Sequence, residues 1–464
     1  MTSVLPNDPA LPGLVKLFDL RGLSECFRSC LRTEHKNSHH VESCKLIRFR
    51  YRPGKRAIAI YEVGVRDSSN DQVDTQWLTA MTYANKSVRQ VFKKMRASLA
   101  TCEQHNKHSA FQPLSYLADD DLLVQAFPTD RYLPQIGAFL GGPPDDVIAT
   151  MLNAFGPGNW TTSAIDIEPS RYRPLMGLTL RFRVEARSDS GIRQTRNFFV
   201  KLYRDQQGGI TWQTLTDLRR QLNNYRCNFQ VLRPGTWLQQ HRALILDQVP
   251  GQPLDVILAT RGEDIKPVIA RIARALFELH SSPLQMSDAR LADELSNRAE
   301  RSIELISSAR PEFANVLTSI RTALSETQPV HEPCPSHCDL KAEHLLVDDR
   351  RVTFIDLDSA AMADPVYDLA VLLVRLQVMS TLDGSARDVI ENAADRLLEH
   401  YFRLAPADWR ERLPHQLGNA GLKVALFFVQ HLIPDWPRRT QFLLHQIDAV
   451  LKGKSVLIPG RSIP

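Results

Sequence analysis

A stretch near residue 50 recurs near residue 171, and this repeat constrains the fold more than any other feature of the chain. Residues 47–63 read IRFRYRPGKRAIAIYEV and residues 168–184 read EPSRYRPLMGLTLRFRV. A shift of 121 lays Arg50, Tyr51, Arg52 and Pro53 on Arg171, Tyr172, Arg173 and Pro174. Past the turn, Ala57, Ala59, Tyr61 and Val63 fall on Leu178, Leu180, Phe182 and Val184, the alternation of a strand with one buried face. The likeness continues from WLTAMTY (77–83) to NFFVKLY (197–203), from FQPL (111–114) to FQVL (229–232), and from DLLVQAFP (121–128) to ALILDQVP (243–250). Each copy predicts strand, Arg-Pro turn, strand, polar hairpin, strand, helix and two further strands. That is an antiparallel sheet with one helix laid on it. The plainer alternative is two unrelated β-rich segments that share an Arg-Tyr-Arg-Pro turn. Gly141-Gly142-Pro143-Pro144 is the most turn-rich stretch between the copies and marks the boundary.

The copies differ at one chemically telling place. Lys201 stands in the strand FFVKLY where the first copy has Met81. A strand lysine aimed into a cleft neutralises phosphates, and a methionine does not. The first copy is therefore expected to be a degenerate lobe that packs or regulates.

Composition narrows the partners. The chain has 464 residues, 43% hydrophobic and 23% charged, as a folded globular protein does. A net charge of +5 over that length is too small to argue for nucleic acid. The apolar runs Leu369–Leu373 and Val424–Val429 fall far short of the roughly 20 residues that span a bilayer. No basic and apolar leader opens the sequence, and seven scattered cysteines suit reduced thiols. The expectation is a cytoplasmic protein with neither a nucleic-acid nor a membrane partner. Its oligomeric state is not legible.

Residues 336–373 carry the chemistry: SHCDLKAEHLLVDDRRVTFIDLDSAAMADPVYDLAVLL. His337-x-Asp339 precedes the apolar LLV, a polar turn at Asp348–Arg351, and VTFID. A hairpin here brings Asp339 and Asp356 to one end of a sheet. Two carboxylates with a lysine to hand are what metal-assisted phosphoryl transfer requires. One orients the acceptor hydroxyl, and the other holds the metal on the phosphates.

This segment resembles the catalytic and metal loops of the aminoglycoside phosphotransferase and choline kinase family, with His337, Asp339, Ile355-Asp356, Asp364-Pro365 and Asp368-Leu369-Ala370 in matching order and spacing. The resemblance spans roughly residues 160–450. It implies an α+β, bilobal protein-kinase-like fold: a small antiparallel β lobe at 151–250 and a mainly helical large lobe at 251–464. A duplicated, degenerate small lobe at 1–145 would precede them. It implies transfer of the γ-phosphoryl group of ATP, or of GTP, to a hydroxyl of a small molecule, with Mg²⁺ or Mn²⁺. Asp339 corresponds to the catalytic aspartate, and Lys341 lies where protein kinases place a lysine that meets the transferred group. Asp356 corresponds to the metal-binding aspartate and Lys201 to the phosphate-pairing lysine. The turn 171–178, with Arg173 and Gly177, corresponds to the phosphate cover, and LILDQVPG (244–251), with Asp247, to the hinge at the nucleotide. Asp368 corresponds to a brace of the catalytic loop, and His337 to a residue that packs and orients it.

The sequence departs from that pattern in three places. His344 replaces an asparagine that offers oxygen to Mg²⁺, whereas imidazole nitrogen prefers transition metals. His344 either bonds Asp339, serves a site with one ion or Mn²⁺, or marks lost catalysis. Asp358, in IDLD, is a third carboxylate that either approaches this metal site or is a solvated turn residue. Between Lys201 and Glu263 there is no Glu to pair with the lysine, and Asp217 is the only acidic candidate on the following helix. The turn 171–178 has Gly177 as its single glycine, and the arginines in it recur in the first copy, which favours a structural turn.

The short span from Asp356 to Asp364-Pro365 leaves no room for the activation segment of a protein kinase. The remaining alternative is a nucleotide-binding pseudokinase acting as a regulatory or scaffold partner. Cys26, Cys30, His39, His40 and Cys44 have the elements of a zinc site, but buried packing is the reading adopted. Lys86, Arg89, Lys93, Lys94 and Arg96, at helical spacing, read as a solvated face rather than as an anion or nucleic-acid patch.

Overall fold

The computed structural model describes residues 5–99, 109–260, 265–286, 292–326, 332–382 and 387–454; Cys102 lies outside them. The chain divides into two compact units. The first takes in the residues up to Gly209 together with Gly235–Asp247 and Val429–Trp436. The second takes in Ile210–Pro234, Gln248–Phe428 and the chain from Pro437 onward.

In the first unit, α1 (Leu20–Ser29) is followed by the antiparallel strands β1 (His39–Arg52), β2 (Arg56–Asp67) and β3 (Val73–Tyr83). Next come α2 (Val88–Leu99) and a second hairpin, β4 (Leu114–Leu117) and β5 (Leu122–Ala126), giving the sheet order β1-β2-β3-β5-β4. Two short helices, α3 (Ile136–Gly141) and α4 (Asp145–Asn153), flank the Gly-Gly-Pro-Pro stretch. The pattern then repeats with β6 (Trp160–Arg173), β7 (Gly177–Ser188), β8 (Arg193–Tyr203) and the beginning of α5 (Gln207–Leu222). After β9 (Phe229–Val231), β10 (Thr236–Leu238) and β11 (Ala243–Asp247) complete a sheet of order β6-β7-β8-β11-β10.

The two sheets have the same strand order, and their registers correspond along most of their length. The exception is the second bulge, which lies between Leu46 and Arg48 in β1 but between Pro169 and Arg171 in β6. His39 pairs with Asp67 and Trp160 with Ser188; Tyr51 pairs with Ala57 and Tyr172 with Leu178. Met81 lies opposite Leu123, and Lys201 lies opposite Leu244. That register shifts the last strand by one residue from the alignment of DLLVQAFP with ALILDQVP. The FQPL and FQVL match fails more plainly. Phe111 makes an isolated bridge to Leu31, whereas Phe229–Val231 pairs with a strand of the other unit's sheet. The counterpart of β4 is β10, with Leu117 opposite Leu122 and Leu238 opposite Ala243.

β7 follows the expected alternation, burying Leu178, Leu180, Phe182 and Val184 between exposed Arg181 and Arg183. β2 does not. Its Ala57, Ala59, Tyr61 and Val63 are buried on one face, where the Tyr61 and Phe27 rings meet edge-on at 5.4 Å. Ile58 and Ile60 are buried on the other face as well. Ile60 joins a cluster with Leu133, Phe139, Met151, Tyr172, Leu180 and Phe182, so the two copies share one core.

In the second unit, β12 (Gln252–Pro253) begins a chain of helices: α6 (Leu254–Thr260), α7 (Lys266–His280), α8 (Ala292–Ala309) and α9 (Ala314–Leu324). β13 (Cys334–Ser336), β14 (Leu345–Val347), β15 (Val352–Phe354) and β16 (Ala361–Ala363) follow. β12, β14, β15 and β9 form one sheet, and β13 pairs with β16. The chain then runs through α10 (Pro365–Leu382), α11 (Arg387–Leu404), α12 (Ala407–Glu411), α13 (Leu413–His431) and α14 (Trp436–Leu451). α10 is buried on nearly every side, which is why its sequence has no polar stripe. Among the described residues no helix is long and apolar enough to cross a membrane.

Candidate active site

β14 and β15 form the expected hairpin, with Leu345 opposite Phe354 and Val347 opposite Val352. One step beyond this register, the Ile355 amide donates to the His344 carbonyl at 3.0 Å. The hairpin therefore places His344 beside Asp356. Asp356 takes a left-handed backbone conformation (φ 58°), which Asp tolerates better than most residues. The loop before the hairpin is held from below. The buried Asp368 carboxylate, in the first turn of α10, accepts from the amides of His337 at 2.6 Å and Cys338 at 2.7 Å. His280 Nε2 lies 3.2 Å from the same carboxylate, and its Nδ1 meets the Tyr401 hydroxyl at 2.7 Å. This brace forces Cys338 into left-handed backbone (φ 61°) and turns Asp339 outward, half-exposed.

Asp339 is gripped by two ammonium groups. Lys423 Nζ donates to Oδ1 at 2.6 Å, and Lys341 Nζ lies 3.0 Å from Oδ2. Burial alone would push this carboxyl up. The charges of Lys423 and Lys341 outweigh burial and hold it well below the usual carboxylate range. Lys423 also lies 5.9 Å from the centre of the Tyr367 ring. Four residues along the same helix, Phe427 carries the Arg375 guanidinium over its ring at 4.9 Å.

His344 joins the two carboxylate loops. Its Nδ1 is 3.1 Å from the Asp339 carbonyl oxygen, and its Nε2 is 3.4 Å from Asp356 Oδ2. A carbonyl only accepts, so Nδ1 carries the proton and Nε2 presents a lone pair. Burial, reinforced by His337, pushes this imidazole down to about 3 against the opposing pull of Asp356. His337 stacks on it at 5.3 Å and donates from Nε2 to the Ile355 carbonyl at 2.9 Å, which packs and orients the loop. A bare imidazole nitrogen and a carboxylate oxygen thus face each other with no proton between them. That donor set fits a divalent cation tolerant of nitrogen. Among the described residues no group of three or more His, Cys, Asp or Glu is placed to hold a metal, so a cation here would take its other ligands from phosphate oxygens and water. Asp358 lies exposed in the single turn after Asp356.

The remaining expected residues, Asp217 apart, belong to the first unit. Lys201 sits in β8 between Thr179 of β7 and Leu244 of β11. Asp247 ends β11 opposite Phe198. Arg173 and Gly177 close the β6–β7 hairpin, paired with each other. Asp217 of α5 is taken up by Gln213 at 3.0 Å and Arg220 at 2.7 Å. The sequence reading missed Lys423 and Arg375. Their signal was a lone cation within an otherwise apolar helical run, in GLKVALFFV for one and LAVLLVRL for the other.

A family model described as the phosphotransferase enzyme family matches residues 184–415. No curated protein matches the chain. Among solved structures, a choline/ethanolamine kinase family protein from Mesorhizobium loti is 16% identical with a TM-score of 0.42, over 68% of this chain and 93% of that one. The choline kinase LicA from Streptococcus pneumoniae is 15% identical with a TM-score of 0.43, over 66% and 98%. The ADP-bound aminoglycoside phosphotransferase APH(2'')-Ib is 16% identical with a TM-score of 0.39, over 66% and 99%. The matched family is the one that the 337–370 run resembles, and the α+β architecture with antiparallel sheets agrees with it. The chain belongs to the phosphotransferase enzyme family.

Proposed function

We propose that the chain transfers the γ-phosphoryl group of ATP, or of GTP, to a hydroxyl of a small molecule. The observation that carries this reading is the His344 imidazole, bonded to the Asp339 carbonyl on one side and facing the Asp356 carboxylate on the other. It keeps the group that would orient the acceptor next to the group that would hold a metal. In the reaction the acceptor oxygen bonds to the γ-phosphorus as the bond to the β,γ-bridging oxygen breaks, and the nucleoside diphosphate leaves. Asp339 orients the hydroxyl and receives its proton late, because Lys341 and Lys423 leave the carboxylate little basicity. Lys341 steadies the transferred group, and Lys201 neutralises donor phosphates. Arg173, Gly177 and Asp247 complete the donor's surroundings in this reading.

Mg²⁺ or Mn²⁺ would be held by Asp356 and by Nε2 of His344, with the exposed Asp358 reaching it only through water. When bound, it would neutralise charge on the phosphates. The acceptor meets two ammonium groups at Asp339, so a neutral or anionic hydroxyl compound suits the site better than a cationic one. The first copy of the repeat is read as a degenerate small lobe without the lysine, and the chain as a protein of the cytoplasm. Nothing in the site favours a regulatory pseudokinase, since both carboxylates and Lys201 are in place in the sequence.

The direct test is nucleotide turnover with Mg²⁺ and with Mn²⁺ across a panel of hydroxyl acceptors, for wild type and Asp339→Asn. Acceptor-dependent release of diphosphate that the variant loses is the expected result. Nucleotide binding without any phosphate transfer would overturn it.

A further inference from the structure

α10 and α13 set alternating rings and cations beside the Asp339 loop. Tyr367, Val371 and Arg375 recur every four residues and so share one face of α10, while Lys423 and Phe427 stand one turn apart on α13. Lys423 Nζ is 5.9 Å from the centre of the Tyr367 ring, and the Arg375 guanidinium is 4.9 Å from that of Phe427. Helical side chains lean toward the N-terminus, so Arg375 reaches back along α10 toward Tyr367 and the loop.

Arg375 is a half-buried cation inside the apolar run from Leu369 to Leu376. Among the described residues its guanidinium enters no ion pair, and its buried Nε has no hydrogen-bond partner. The face of Phe427 holds the guanidinium but uses none of its N–H groups. Burial pushes Arg375 down, and the carboxylates that oppose this most are Asp339 and then Glu343. Neither is bonded to it. Asp339 is taken up by Lys423 at 2.6 Å and Lys341 at 3.0 Å, and Glu343 stands exposed, 4.0 Å from His344 Nε2. A buried donor left without an acceptor costs stability, so its retention next to the reacting carboxylate calls for a ligand.

We propose that Arg375 and Lys423 form a subsite for an anionic group, a carboxylate or a phosphate ester, carried by the acceptor. The substrate class is then hydroxy acids or phosphorylated polyols rather than neutral or cationic alcohols. A guanidinium fork meets two oxygens of such a group side by side, and the Lys423 ammonium adds a further donor. Lys423 bonds Asp339, and Phe427 carries Arg375 one turn further on. The anion and the reacting hydroxyl are therefore separated by about 5 Å, the span of a few carbon atoms. In naming the ligand as the acceptor, the inference rests on the phosphotransferase reading; the unbonded guanidinium does not.

The test is calorimetric titration of the full-length chain with two matched sets and a cation. The sets are glycerol, glycerate and glycerol 3-phosphate, and glucitol, gluconate and glucitol 6-phosphate; the cation is choline. Each titration is run with and without Mn²⁺ and the non-hydrolysable ATP analogue adenylyl imidodiphosphate, for wild type, Arg375→Gln and Arg375→Lys. At least one anion should bind tenfold or more above its neutral counterpart, roughly what a charge-assisted pair supplies, and choline should bind no better than the neutral compounds. The tighter of the two anions tells a carboxylate site from a phosphate site. Arg375→Gln should abolish the preference. Arg375→Lys, which keeps the charge but not the fork, should keep part of it, and this arm decides the matter if the glutamine variant does not fold. No preference for any anion, or a preference that Arg375→Gln leaves intact, overturns the subsite. Anion binding that the nucleotide analogue displaces would give these cations to the donor's phosphates, and overturns it as well. Arginine-dependent binding of hydroxy acids in a chain that never turns nucleotide over would defeat the phosphotransferase reading and leave the subsite standing. Turnover indifferent to acceptor charge and to Arg375 would do the opposite.

Discussion

Nε2 of His344 and Oδ2 of Asp356 stand 3.4 Å apart, two acceptors face to face. Where an oxygen-donating amide would suit Mg²⁺, the nitrogen here shifts preference toward softer divalent ions. His344→Asn should raise Mg²⁺-dependent turnover and lower the ratio of Mn²⁺ to Mg²⁺ rates by about tenfold. Steady-state rates with each ion, and Mn²⁺ binding followed by electron paramagnetic resonance, check this. An unchanged ratio would remove His344 from the metal's surroundings.

Asp339 is bonded to Lys423 at 2.6 Å and flanked by Lys341 at 3.0 Å. Asp339→Asn should cost about 10²–10⁴-fold in kcat while nucleotide still binds, since the amide cannot take the proton. Lys423→Met should let the Asp339 carboxyl rise toward its ordinary value. The acid limb of the rate profile then moves to higher pH, and anionic acceptors lose more affinity than neutral ones. The pH profile of kcat/KM with a matched neutral and anionic acceptor reads both effects.

Asp368 is wholly buried. Burial would push its carboxyl up, yet the hydrogen bond and charge of His280, the charge of His337 and the His337 amide together hold it below the ordinary range. The unfolded chain therefore binds this proton more readily. The stability Asp368 contributes is present above about pH 4 and is lost as pH falls through the lower folded value. Asp368→Asn should remove that acid dependence and cost about 3–5 kcal/mol, because the buried His280 and two amides lose their charge partner. Urea titrations from pH 3 to 7 separate the two effects.

His431 gives the same acid sensitivity from a base, because here it is the neutral form that the fold favours. Burial, opposed by its bond to the Phe49 carbonyl and aided by Arg50, Arg48 and Arg173, brings its imidazole down to about 4. Between the unfolded value near 6.5 and that folded value, the unfolded chain takes up the proton first, so stability falls as pH drops through this window. His431→Gln should flatten that slope. In wild type, NMR should place the ring's midpoint near 4.

Leu175 occupies left-handed backbone at a cost of about 1–2 kcal/mol, while burying its side chain returns about 1.5–3 kcal/mol. Burial wins, so Leu175→Gly should destabilise despite relieving the backbone. Hydrogen exchange at residues 172–178 should speed up in that variant, and no change there would mean that the turn is held by Asp130 alone, whose carboxylate accepts from the Leu175 amide at 2.8 Å.

How far the fold was legible depended on how local its causes were. The Arg-Tyr-Arg-Pro turns and the strands beside them were readable because alternation and turn chemistry are written in adjacent residues. Phe229–Val231 misled, because a three-residue apolar strand looks the same whichever sheet it joins, and only the pairing of Val231 with Phe354 decides. β2 looked one-faced because Ile58 and Ile60 find their partners in helices and strands up to about 120 residues away. The Asp339 and Asp356 loops were visible in their spacing. Lys423 was not, since a lone lysine in an apolar helix gives no hint of which loop it will meet. Arg50 and Arg52 were read as structural because their recurrence was visible, while the bond from Arg50 to Met176 in the second turn was not.

The shared cluster running from Ile60 through Phe139 and Met151 to Tyr172 and Phe182 has a consequence for anyone dissecting this chain. What reads as a removable duplicate is one wall of its sibling's interior. A truncation beginning near residue 146 would strip the covering from the catalytic portion's own sheet and yield an insoluble fragment rather than a minimal enzyme. The boundary that the repeat suggests is not a boundary of the packing.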